Sequence, residues 1–323
     1  MFSLSELKNE FLLIKESSYE GIKGVMVFDS GIPGPCLGIT INTHGNEPSG
    51  LAALGYFRKD DLVKSLISGR VMFVINNIQA CEAYFKALEI ENVSERETAK
   101  LKSRFCDVNM NRLPTNTLEL SGDKRYEILR AQELRQVWER FDIAFDVHST
   151  RSESEPMIIA LGNVQSTLYA GFPIGIIIRN IENVQSGKPA SAFYGRAGET
   201  PVFAIETGSH EKETSFQTAM TCISILLQNL GMLPKTSLLV SKTYKEYLIV
   251  DSMFFPDNSY ELTKAFNMFE LCEKGQIIAQ GNGPAIVAPE TGCLLFVPPG
   301  KKPTAPLDEE VLFFSAPPRI IKA

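Results

Sequence analysis

The sequence predicts an α/β fold: a mixed sheet flanked by helices, followed by a small β-rich C-terminal domain. Three observations predict it. Short apolar runs of strand length recur through the first two thirds of the chain. Segments with apolar residues at helical spacing separate several of them. After Pro234 the runs become short and β-like, with Gly and Pro between them. Strands alternating with helices imply a sheet covered on both faces.

The strand runs are "GVMVF" from Gly24, "CLGITIN" from Cys36, "VMFVIN" from Val71, "IAFDV" from Ile143, "MIIAL" from Met157, "GIIIR" from Gly175 and "VFAIE" from Val202. Leu134, Val137, Trp138 and Phe141 mark one buried helical face. Phe216, Ala219, Met220, Ile223, Leu227 and Leu230 mark another, which Gly231 and Pro234 end. Residues 82–103 are charged and helix-like, and read as a surface excursion. A catalytic domain over 1–234 and a β-rich domain over 235–323 follow. The second contains "SLLVS", "YLIVD", "GQIIAQ", "PAIVAP", "GCLLFVP" and "VLFFSA", with "GNGP", "PETG" and "PPGKKP" as punctuation.

Composition narrows the function. Of 323 residues, 44% are hydrophobic and 22% charged, an ordinary globular balance able to fill a core. The net charge of -6 argues against nucleic acid as the main partner, since phosphate binding wants a basic face. No apolar run is long enough to span a bilayer, and no signal peptide is read at the start. Six scattered cysteines without a C-x-x-C pair read as reduced, mostly buried thiols. A cytoplasmic enzyme fits these features.

The chain has three histidines, so their contexts are informative. His44 and Glu47 lie in "THGNE", just past a strand end, and His148 ends "FDIAFDVH". Glu206 ends "VFAIE". Sites in open α/β sheets form outside the carboxyl ends of the strands, so these four side chains can converge. Two imidazoles and one carboxylate are a catalytic zinc set, with a further position left to water. Glu206 is free to shuttle a proton. A blander account exists for each member. His44 and Glu47 could start a helix, with Glu47 favouring its N-terminal dipole, and His148 could be a satisfied core histidine. Taken together, metal binding is the better account. His210, in the polar "ETGSHEKE", reads as a capping or surface residue outside the site. The run "RFCDVNMNR" carries Arg104, Asn111 and Arg112, groups suited to a carboxylate.

The pieces "HGNE" (44–47), "RFCDVNMNR" (104–112), "FDVH" (145–148), "GR" (195–196) and "IETG" (205–208) resemble the succinylglutamate desuccinylase/aspartoacylase family, relatives of the zinc carboxypeptidases. The resemblance implies a zinc-carboxypeptidase-like sheet and one Zn2+ per chain held by His44, Glu47 and His148. It implies Glu206 as general base and proton donor, and Arg104 as the group that stabilises the oxyanion. Asn111 and Arg112 would bind a substrate carboxylate, and Arg196 a second one. Two departures stand out. The family's Asp-x-Asn-Arg is Asn109-Met110-Asn111-Arg112 here, and no tyrosine lies near "CLLFVPPGKKP". Both are expected to bear on the substrate, and neither on the zinc set.

The leading expectation is a zinc-dependent amidohydrolase acting on a small N-acyl amino acid with one or two carboxylates. A carboxypeptidase-like peptidase or an esterase is the alternative, since the same residues serve. Co, Mn or Fe can occupy similar ligands. A carrier role ranks low: "EKGQIIAQGNGPAIVAPETGCLLF" resembles a lipoyl-type half-barrel, but its "PETG" tip has no lysine. That segment reads instead as a lid or a homo-oligomer contact.

Overall fold

Apolar runs become strands where they can be covered on both sides, and each of the seven runs before Pro234 does. The computed structural model describes residues 2–196, 198–235, 242–302, 307 and 309–322. Its principal strands are β1 (Val25–Asp29), β2 (Cys36–Ile41), β3 (Arg70–Ile75), β4 (Ile143–Thr150), β5 (Met157–Ala160), β6 (Ile176–Arg179), β7 (Val202–Ser209) and β8 (Thr243–Met253). Four more follow: β9 (Leu271–Cys272), β10 (Gly292–Leu295), β11 (Leu312–Ser315) and β12 (Arg319–Lys322). Among the described residues these twelve join one mixed sheet. Its order is β9-β10-β11-β8-β6-β5-β7-β4-β2-β3-β1, with β12 also paired to β8.

The middle of that sheet matters for the site. β2, β4 and β7 are neighbours and run parallel, so their carboxyl ends share one edge. β2 and β4 are buried at every position, which is why they read as continuous apolar runs. The register is set residue by residue, with Ile39 opposite Phe145 and His148 opposite Glu206.

Alternation sorts the strand residues onto two faces. Leu37, Ile39, Phe145, Val147, Phe203 and Ile205 share one core with Leu7, Phe11, Leu51, Leu54, Phe216 and Ile223. These come from α1 (Leu4–Glu16), α2 (Ser49–Lys59) and the C-terminal helix described below. On the same side α3 (Ile78–Ala87) buries Cys81, Tyr84 and Phe85. Hence the surface excursion expected over 82–103 begins later. The i, i+3, i+4 spacing of those three residues gives α3 a core face, and only α4 (Val93–Lys102) buries nothing. The other face packs Met72, Val74 and Ala144 against Ile128, Ala131, Leu134 and Trp138 of α5 (Tyr126–Trp138). Phe141 lies just past that helix, over Gly38, where an added Cβ would stand 2.3 Å from its ring. The seventeen-residue α6 (Glu213–Asn229) completes the first face.

Beyond Pro234 the expected β-rich character appears. Residues 236–241, which contain the run "SLLVS", lie outside the described residues. β8 extends the sheet by pairing parallel with β6, and it carries β11 and β12 on its other side. A separate core of Met253, Phe255, Tyr260, Leu262, Ile278, Leu294 and Phe314 fills this part. No helix among the described residues is long and apolar enough to cross a membrane.

Candidate metal centre

Three adjacent strand ends bring the candidate residues together. Past β2 the chain turns at Asn42, whose φ is 48°. The Asn42 side-chain amide donates to the Gly45 carbonyl at 3.4 Å and to the Glu47 carbonyl at 3.2 Å, which holds the turn. At Gly45 the turn lies hard against two other segments. A Cβ there would stand 2.2 Å from the Ala80 carbonyl carbon and 2.4 Å from the Ser103 oxygen. The Gly45 N–H donates to the Arg104 carbonyl at 2.9 Å. Only a residue without a Cβ fits, so "HGNE" is docked directly on the loop that carries Arg104.

His44, Glu47 and His148 are buried, and one donor atom of each lies within 4.8 Å of the others. His44 Nδ1 is 2.7 Å from Glu47 Oε1, and His148 Nδ1 is 2.9 Å from Glu47 Oε2. The outward nitrogens are engaged as well. His148 Nε2 is 3.1 Å from Asp146 Oδ2, and His44 Nε2 is 3.0 Å from Asn109 Oδ1. An imidazole that donates from its outer nitrogen keeps the inner lone pair for a metal. Two such imidazoles and a carboxylate fit a catalytic zinc ion, and related divalent ions share the set.

Electrostatics agree with this use at His44 and Glu47. Burial, helped by the Arg104 guanidinium, pushes His44 down to about 4, so it is neutral at pH 7. Burial opposes charge on Glu47, but the two imidazoles outweigh it and hold its carboxyl well below the usual range. His148 moves the other way. Burial disfavours its charged form, yet Asp146 and Glu47 raise it well above the ordinary value.

Glu206 is the Cα partner of His148 on β7. Its Oε2 is buried and has no hydrogen-bond partner. Burial lifts its carboxyl to about 8, against the pull of His148 and Arg104. Arg104 places Nη1 3.2 Å from Glu47 Oε1, with its side chain 38% exposed. Asn111 donates its backbone N–H to Asn109 Oδ1 at 2.9 Å, and its own Oδ1 is buried without a partner.

The remaining expected residues stand differently. Arg112 donates from Nε to Glu310 Oε2 at 2.6 Å and from Nη1 to the Asn111 carbonyl at 2.8 Å. Arg196 is 77% exposed and pairs with Glu199 at 3.6 Å, so the structure does not bring it to the triad.

Several residues of the centre carried no expectation. Asp146 orients His148 and also accepts from Thr43 Oγ1 at 3.2 Å. The contact from Asn109 to His44 corrects the expectation that this departure leaves the metal set untouched. Glu127, buried in the first turn of α5, accepts from the backbone N–H groups of Cys106, Asp107 and Val108 at 2.6, 3.0 and 3.1 Å. It also accepts from Asn77 Nδ2 at 2.9 Å. One carboxylate thereby fixes the loop between Arg104 and Asn109. His210, expected at a cap or on the surface, is half-buried instead. Its Nδ1 is 2.7 Å from Ser149 Oγ, and Ser149 N–H donates to Glu47 Oε2 at 3.2 Å. The scarcity of histidine and its place four residues past Glu206 are the signals that could have found it. Five cysteines are buried and Cys106 is exposed, all of them free thiols.

The profile of the succinylglutamate desuccinylase/aspartoacylase catalytic domain matches residues 33–223. No curated protein sequence matches the chain. Among solved structures it is similar to murine aminoacylase 3, at 17% identity over 90% of this chain and 97% of that one, with a TM-score of 0.62. The product-bound ectoine utilization protein EutE (DoeB) from Ruegeria pomeroyi gives 16% identity, 90% and 88% coverage and a TM-score of 0.60. A succinylglutamate desuccinylase/aspartoacylase from Rhodobacter sphaeroides gives 14% identity, 91% and 88% coverage and a TM-score of 0.61. At these identities the structural likeness speaks for the fold.

Proposed function

The chain belongs to the succinylglutamate desuccinylase/aspartoacylase family, and on that premise we propose that it is a zinc-dependent hydrolase removing the acyl group from a small N-acyl amino acid. One observation carries the reading: His44, Glu47 and His148 converge as a buried donor set beside Glu206, a carboxylate with an unpartnered oxygen. In this reading residues 1–234 are the catalytic domain and 235–323 a β-rich domain attached through β8. An acidic chain with reduced thiols suits a cytoplasmic metabolite.

Zinc, when bound, supplies Lewis acidity that polarises the scissile carbonyl and makes water acidic near neutral pH. The chain's own residues do the rest. Asp146 and Asn109 keep the two imidazoles turned with Nδ1 inward. Glu206 takes the proton of the attacking water on its free oxygen and returns it to the leaving nitrogen. The Glu206 carboxyl, raised by burial, would fall back toward neutrality with a cation held by His44, Glu47 and His148, and could there both accept and give the proton. Arg104 donates to the developing oxyanion, a contribution of roughly 3 kcal/mol. Asn111 Oδ1 accepts from a substrate N–H. Arg112 is already bonded to Glu310 and Arg196 faces solvent, so neither is assigned a substrate contact here.

Metal content and turnover test this. Protein purified without chelator is expected to hold about one zinc per chain, the count for a single His₂Glu site. Chelation should lower its melting temperature and added zinc should restore it, with a gain in stability of roughly 2.7 kcal/mol at a free concentration a hundredfold above Kd. Glu206→Ala should keep the zinc and lose hydrolysis of N-acyl amino acids. Unchanged turnover in that variant would remove Glu206 from its role. Faster cleavage of C-terminal dipeptides or esters would move the substrate to the carboxypeptidase-like alternative.

A further inference from the structure

Glu309 and Glu310, just before β11, both bond to the loop that carries Asn109, Asn111 and Arg112. Glu309 Oε1 accepts from Asn109 Nδ2 at 3.1 Å. The Glu310 side chain is 0% exposed. Its Oε2 takes the Nε donor of Arg112 at 2.6 Å, and its Oε1 accepts the Ser186 backbone N–H. Gln185 adds to the assembly. It accepts from Arg112 Nη1 at 3.3 Å and donates to the Asn111 carbonyl at 3.1 Å.

A substrate carboxylate could take the Nε donor of Arg112 only by displacing Glu310. That would strand a buried carboxylate without its cation, and breaking a buried pair is strongly unfavourable. The local charge points the same way. Glu309 and Glu310 both bond to this loop and only Glu310 is paired with a guanidinium there, so a third carboxylate is repelled. Glu309 makes no ion pair among the described residues; its partner is the neutral Asn109 amide.

We propose that Glu310 is a specificity-determining residue: a built-in carboxylate that occupies the Nε of Arg112, so that the substrate group lodged beside Asn111 is neutral or cationic. The reacting bond is that of the deacylase reading above, on which the substrate class rests. The pairing of Arg112 is independent of it. Amides, hydroxyls and amines fit this position, and a carboxylate does not.

The test uses zinc-loaded protein and three probes that differ only in the side chain: N-acetylglutamate, N-acetylglutamine and Nα-acetyllysine. Binding is read by calorimetry and hydrolysis by amine release. Wild type is expected to favour the two probes without a side-chain carboxylate by tenfold or more. Glu310→Gln should shift the ratio toward N-acetylglutamate by at least tenfold, and Arg112→Gln added to it should cancel the shift. A wild-type preference for N-acetylglutamate overturns the proposal, as does a ratio that Glu310→Gln leaves unchanged. If neither variant folds by circular dichroism, the wild-type ratio alone decides. Binding that shifts as described without any amine release would keep this inference and defeat the deacylase reading. Release with an unshifted ratio would do the reverse.

Discussion

Asn109 Oδ1 stands 3.0 Å from His44 Nε2, on the side of the imidazole turned away from Glu47. The resemblance leads one to expect an aspartate there. An aspartate would make His44 a stronger ligand, because a charged acceptor polarises the ring. It would also face Glu309, which now accepts from Asn109 Nδ2. Asn109→Asp alone should therefore gain little zinc affinity, while the same change with Glu309→Gln should gain about tenfold. Competition against a chelator of known affinity measures both. Equal gains in the two backgrounds would mean that Glu309 does not constrain position 109.

Glu206 gives a pH signature in the metal-free protein. Its folded pKa, about 8, is raised above the ordinary 4.5 by burial. Its contribution to stability is thus fully present below the unfolded value and is lost as pH rises through the folded one. Metal-free Glu206→Gln should gain on the wild type between pH 5 and pH 9, by roughly 1–3 kcal/mol. Urea unfolding at the two pH values provides the comparison, and a gain that shrinks with pH contradicts the assignment.

Glu127 accepts four hydrogen bonds while buried, three of them from consecutive backbone N–H groups. Glu127→Ala leaves all four donors without their acceptor. A loss of about 2–4 kcal/mol in denaturant unfolding is expected. Turnover should fall as well, because Arg104 and Asn109 flank the freed segment. A variant within about 0.5 kcal/mol of wild type would show that water replaces the carboxylate.

Gly45→Ala tests the docking of the "HGNE" turn. The new Cβ would overlap the Ala80 carbonyl, which belongs to backbone and cannot rotate away. A cost of about 1–3 kcal/mol is expected, together with weaker zinc binding as His44 and Glu47 move apart from His148. Normal zinc affinity in a destabilised Gly45→Ala protein would separate the turn's fit from the metal site.

The strands were legible because their residues are buried on both faces, so apolar runs mark them without needing alternation. His44, Glu47, His148 and Glu206 were legible for a related reason: each follows or ends such a run, and parallel neighbours bring run ends together. Other groups were hidden by distance along the chain. Glu127 is twenty residues from the loop it fixes, and Glu310 is nearly two hundred from Arg112. No local pattern marks a carboxylate whose partners are backbone N–H groups elsewhere. His210 was misread because "SHEKE" is polar, although its ring turns inward to Ser149. The helix Ile78–Ala87 was partly misread for the opposite reason, since its charged residues masked the face formed by Cys81, Tyr84 and Phe85.

His148 and Glu206 are register partners on neighbouring parallel strands, and the pairing is continuous back to Ala144 and Val202. Neighbouring strands lie about 4.8 Å apart wherever they are hydrogen-bonded. The interval between His148 and Glu206 is thus a ruler built into the sheet, not a property of any loop. Insertions or deletions in the connections would leave that ruler intact. A slip of one residue in either strand would turn one of the two side chains to the opposite face, and the pair would be lost in a single step.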